Sequence, residues 1–135
     1  MDQLAKLKLQ ILTPVKKFLD EEIDMVTIPA QEGEMGILPG HIAMIAALSA
    51  GLVRIYQGGA VVRTIFVHGG FVKIDNEQVI MLIEEALDKM HIDYNDALSH
   101  IKEIESKLMN SDDPEYKKLL SHQLHIYQRM AEASK

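Results

Sequence analysis

Residues 32–55 read EGEMGILPGHIAMIAALSAGLVRI, and the punctuation of this stretch decides what kind of fold the chain can take. Gly33, Gly36, Pro39 and Gly40 fall within eight residues and are followed by His41 and an apolar run. Such density demands a tightly turned loop, because glycine reaches positive φ cheaply and proline presets its own φ. The spacing Gly33-x-x-Gly36-x-x-x-Gly40 invites comparison with a phosphate-binding loop, but the chemistry rejects it. No Lys-Ser/Thr pair follows, Glu34 would repel a phosphate, and no helix is expected to begin after Gly40. The segment is read instead as a turn joining two strands.

Outward from that turn, the chain falls into two differently punctuated halves. All eight glycines lie between Gly33 and Gly70, and residues 71–135 contain none. Up to about Ala86 the apolar period is two. Leu7, Leu9 and Ile11 alternate with Lys8 and Gln10 before Thr13-Pro14. Ile23, Met25 and Ile28 form a second run ending at Pro29. Gly58-Gly59 separates Leu52–Tyr56 from Ala60–Val67 as a tight hairpin, and Asp75-Asn76-Glu77 separates Phe71–Ile74 from Gln78–Ile83. Short strands at this spacing predict a β-sandwich, or flattened antiparallel barrel, over residues 1–86.

Beyond Ala86 the period changes. Tyr94, Leu98, Ile101, Ile104 and Leu108 are three or four apart and make one helical stripe, with Asp93 as N-cap and Asp96 in the first turn. Asp113-Pro114-Glu115 starts a second helix with a cap, a proline at the first position and an acid behind it. Its apolar stripe is Tyr116, Leu119, Leu120, Leu124, Tyr127 and Met130. Two helices joined by so short a loop must run antiparallel, so residues 87–135 are expected to form an α-helical hairpin.

Composition removes several function classes. A formal charge of −6 argues against nucleic acid as a partner, where a basic patch supplies most of the affinity. With no cysteine, thiol catalysis and thiolate metal sites are excluded. The opening MDQLAKLKLQIL has neither the apolar core of a secretory signal nor the composition of a transit peptide. The run Ile42–Val53 is too short to span a bilayer. These features predict a cytoplasmic protein that reaches a membrane only through a partner. No serine has a nucleophile-elbow context, and the adjacent acids Glu21-Glu22 and Glu84-Glu85 point to opposite sides of a strand. His122 and His125 are spaced to touch one ion but lack further ligands, so no metal site is expected. Lys118, His122, His125 and Arg129 form a basic stripe opposite the second helix's apolar one, fit for an acidic protein surface.

The segment Glu32-Gly33-Glu34-Met35-Gly36-Ile37-Leu38-Pro39-Gly40-His41 resembles the signature of the epsilon subunits of F-type ATP synthases, called delta in mitochondria. Ile23–Pro29 is similar to the strand preceding it in that family, and His68-Gly69-Gly70-Phe71-Val72-Lys73-Ile74 to its second glycine motif. Ile42-Ala43 replaces the family's usual Ala-Pro, and Ser49-Ala50 its common Lys-Pro. The resemblance implies a non-catalytic rotor subunit on the cytoplasmic face of a bacterial inner membrane. It would clamp the gamma subunit to the c-ring, with Glu32, Gly33, Glu34, Gly36, Pro39, Gly40, His41, Gly69 and Gly70 as contacts. The hairpin would inhibit ATP hydrolysis, its basic stripe meeting the alpha and beta catalytic subunits. Protonation of His122 and His125 would strengthen that docking in acid. Some family members bind ATP through Ile-Asp-x-x-Arg-Ala. Here Ile92, Asp93 and Ala97 match, but Asp96 replaces the arginine and reverses the charge, so no cofactor is expected. Two competing readings are a free-standing β-sandwich binding module, which would ignore gamma, and a small enzyme, which would need convergent polar groups.

Overall fold

The computed structural model describes residues 5–135. Met1–Leu4, the start of the stretch read for targeting signals, lie outside them. The chain divides into two compact units, the first closing at Asp88 and the second running Lys89–Lys135.

The first unit opens with β1 (Leu7–Leu12), where Leu7, Leu9 and Ile11 are fully buried and Lys8 faces outward, as the alternation requires. The run expected from Ile23 to Pro29 is in fact two strands, β2 (Lys17–Ile23) and β3 (Met25–Ala30). They break at Asp24, whose carboxylate accepts the Gly58 N–H at 2.7 Å and pairs with Lys6. β2 escapes a hydrophobic reading because only Leu19 and Ile23 of its seven residues are buried, with charged Asp20 to Glu22 between them. Pro29 does not end β3. It pairs with Glu34 and offers its carbonyl to Ser49 N–H at 2.7 Å, lacking only a donor.

The glycine stretch expected as one turn is two turns flanking a short strand, β4 (Gly33–Ile37), paired antiparallel to β3. Next come β5 (His41–Leu48), β6 (Gly51–Gln57), β7 (Ala60–Val67), β8 (Gly70–Asn76) and β9 (Gln78–Ile83). Gly58 and Gly59 turn β6 into β7 with φ of 61° and 80°, the two-residue geometry whose twist suits a hairpin. Asn76 adopts φ 57° in the β8–β9 turn. A tenth strand, β10 (Ala86–Asp88), pairs with β7 and is too short to show a sequence period.

The strand order is β10-β7-β6-β3-β5-β8-β9-β1-β2, with β4 on β3. Among the described ladders, only β1–β9 is parallel, a departure from the wholly antiparallel expectation. The ends of this order approach each other: Gln57 Nε2 donates to the Glu22 carbonyl at 3.1 Å, and Arg63 lies 3.9 Å from Glu21. The result is a nearly closed sandwich around Leu7, Leu9, Ile11, Ile28, Ile55, Val72 and Met81, among others. Each such buried aliphatic side chain contributes about 1.5–3 kcal/mol.

The second unit has a short 3-10 turn (Lys89–His91), α1 (Tyr94–Met109) and α2 (Pro114–Ala133). Both caps are as the sequence indicates: the Asp93 carboxylate accepts Asp96 N–H at 3.2 Å, and that of Asp113 accepts Glu115 N–H at 3.1 Å. His100, early in α1, stacks on Tyr127, late in α2, at 4.6 Å with planes 1° apart, so the helices are antiparallel. The burial pattern differs from the expected stripes. Leu120, Ile126 and Ala131 are buried, whereas Leu119 is 55% exposed and Tyr94 and Tyr116 about 40%. An apolar stripe counts every hydrophobic residue on a broad arc, but a helix contact buries only the side chains near its centre line.

Candidate functional site

The nine residues expected as contacts do not form one cluster. In the β5–β8 ladder His41 opposes Asn76 at one end and Leu48 opposes Gly70 at the other. Ala30 pairs with both Gly33 and Leu48, which brings the turn carrying Glu32 and Gly33 to the Gly69–Gly70 end. Pro39, Gly40 and His41 lie at the far end, where Gly40 N–H donates to the Asn76 carbonyl at 3.1 Å. Glu34 and Gly36 sit between on β4. Glu34 is held by Arg54 at 2.7 Å, while Glu32 is exposed.

Glycine is required at Gly70. Its φ is +143°, and a Cβ there would lie 2.2 Å from the Leu82 carbonyl oxygen. This close approach lets β8 begin flush against β9, with Gly70 opposite Ile83. The adjacent Phe71 then projects from the outer face. Registers across four strands align Ala47, Phe71, Leu82 and Leu12 in one row. Phe71 is 60% and Leu82 56% exposed, and Ile45 and Ile42 on β5 are more open still. An open groove of about 390 Å³ runs beside the row, lined by Leu12, Thr13, Pro14, Gly70, Phe71, Leu82, Ile83 and Glu84. Phe71 and Leu82 thus form an exposed apolar pair flanked by half-buried Ala47 and Leu12. The sequence reading passed over it, although parity alone reveals it: Val72 and Ile74 face inward, so Phe71 must face outward.

In the hairpin, Lys118, His122, His125 and Arg129 are all exposed, and none forms an ion pair with an acid of the described residues. Of the three positions matching the nucleotide motif, Asp93 is engaged as the cap of α1 and Ala97 is 1% exposed; Ile92 is half-buried. No group of three or more His, Asp or Glu among the described residues is placed to hold a metal, and no described helix is long and apolar enough to cross a membrane.

Comparison with known proteins agrees with this architecture. The family described as "ATP synthase, Delta/Epsilon chain, beta-sandwich domain" matches residues 6–89. The chain is 38% identical over 109 residues to the ATP synthase epsilon chain of Granulibacter bethesdensis, covering 81% of each chain. It is 37% identical over 108 residues to that of Syntrophobacter fumaroxidans, covering 80% of each. Among solved structures, a chain of the Euglena gracilis mitochondrial ATP synthase OSCP/F1/c-ring assembly superposes with a TM-score of 0.84 at 25% identity, over 97% of this chain and 82% of that one. A chain of the Tetrahymena thermophila central stalk and c-ring shares the fold with a TM-score of 0.68 at 14% identity, over 99% of this chain and all of that one. With its ten-stranded sandwich, glycine segments and two C-terminal helices, the chain belongs to the delta/epsilon family of ATP synthase subunits.

Proposed function

We propose that this chain is a non-catalytic rotor subunit that joins gamma to the c-ring and restrains ATP hydrolysis through its helical hairpin. The apolar row Ala47–Phe71–Leu82–Leu12, exposed at its centre, carries the proposal, because a partner that buries Phe71 and Leu82 removes apolar surface from water. Gamma takes this outer face together with Gly69, Gly70 and His41. The acidic turn at Glu32–Gly33, with Glu34 on the adjoining strand, meets the polar loops of the ring. The acidic turn adjoins the Gly69–Gly70 end of that face, so one rigid sandwich meets both partners, as a clamp that passes torque between them must. The protein is thereby held peripherally at the cytoplasmic face of the membrane.

The hairpin supplies regulation. Lys118 and Arg129 present charge, and His122 and His125 ring nitrogens, without an ion-pair partner among the described residues, so an acidic surface on the alpha and beta subunits can take them without breaking an ion pair. The Asp96 reversal supports a hairpin that works without bound ATP.

Co-elution with a cognate gamma subunit tests the reading, using the full chain beside a truncation after Asp88, which preserves β10. Binding by both forms is expected, with loss of ATPase inhibition only in the truncated complex. Failure of the full chain to bind gamma would replace the rotor assignment with a free-standing binding module.

A further inference from the structure

Arg63 on β7 reaches both ends of the strand order. Its Nε and a terminal nitrogen donate to the two Asp88 carboxylate oxygens at 2.7 and 3.0 Å, a bidentate pair on β10. Another terminal nitrogen lies 3.9 Å from Glu21 on β2, and the guanidinium carbon sits 5.4 Å from the Phe18 ring centre on the same strand. The pair is two-thirds or more shielded, with side-chain exposures of 33% for Arg63 and 21% for Asp88. The Asp88 carboxylate holds the guanidinium above its ordinary pKa despite the cost of burial. Asp88 is also the last residue of the first unit, and the chain passes directly to Lys89 of the second. β10 itself is only three residues, paired on one side to β7.

We propose that Arg63 is a clasp that fixes where the chain leaves the sandwich, so that its release lets β10 peel from β7 and lengthens the tether to the hairpin. Three residues freed from the sheet add about 10 Å of reach. A strand this short has little ladder of its own, so a bidentate ion pair at its final residue adds materially to the retention of its C-terminal end. The same side chain contacts β2, so it also seals the gap between the sheet's two ends. The inference rests on the sandwich alone and stands whether or not the hairpin inhibits hydrolysis.

Hydrogen exchange on the full chain tests it with two variants. Asp88→Asn keeps the shape of the side chain, and it should speed exchange of amides 86–88 about tenfold while leaving β6 and the interior of β7 unchanged. Arg63→Gln should speed both β10 and β2. The chain has no cysteine, so spin labels at Glu77→Cys and Gln123→Cys report the tether directly. Their distance distribution should broaden in Asp88→Asn, as a longer tether requires. Unchanged exchange in β10 would overturn the proposal. So would acceleration spread through the whole sandwich, or faster β10 exchange with an unaltered distance distribution.

Discussion

A Cβ on Gly70 would meet the Leu82 carbonyl oxygen at 2.2 Å and would have to hold φ +143°, whereas one on Gly36 comes no closer than 3.0 Å, to the Met25 methyl. The first obstacle is backbone and cannot yield; the second is the free end of a flexible side chain. Gly70→Ala should therefore cost about 3 kcal/mol or more in urea unfolding, and Gly36→Ala under about 1 kcal/mol. Glycines of the two family motifs thus serve different physics. Asp24 adds a pH effect at the same scale. The Lys6 ammonium, and then the Gly58 N–H, hold its carboxyl below the ordinary carboxylate range. A lowered folded pKa means stability that is present above about pH 4, the unfolded value, and lost as pH falls through the folded one. Asp24→Asn should flatten the acid limb of a melting-temperature profile below about pH 4 relative to the wild type, leaving its shape near neutrality unchanged.

At the level of elements, α2 shows how a correct period can still misplace a seam. Leu119 and Leu120 are neighbours in the same predicted stripe, but one is 55% exposed and the other 3%. Leu120→Ala should destabilise the protein by about 2–4 kcal/mol, and Leu119→Ala by no more than about 0.5 kcal/mol. The start of the helix makes a separate prediction. Removing the carboxylate that accepts Glu115 N–H, as in Asp113→Ala, should lower stability by about 1 kcal/mol and speed exchange in the first turn of α2. Both caps and both dihedral-restricted hairpin turns were legible because each depends on a few adjacent residues. β2 and β10 were not, since one is an edge strand built around acids and the other is held by β7 rather than by any pattern of its own.

Across the whole molecule, the outer face of β5, β8, β9 and β1 is where folding and function separate. Phe71 contributes little to the core at 60% exposure, so Phe71→Ser should leave unfolding within about 0.5 kcal/mol of the wild type. The same change should weaken gamma binding at least about tenfold by titration calorimetry, as expected of an aromatic anchor in an apolar row. Ile42, standing where the family usually has alanine, is 80% exposed and adds apolar area on β5. The sequence by itself determined the two-part division, the sandwich and hairpin classes, the turn positions and the family, because all of these are written in local periods and in residues with special backbone freedom. Only the tertiary structure decided that the glycine segment contains a strand and that its flanking turns lie at different ends. It also decided that β1 runs parallel to β9 and that Phe71, Leu82 and Leu12 form one surface. Those facts depend on register between strands far apart in the chain, and no local pattern encodes which strand a hydrogen-bonding edge will meet.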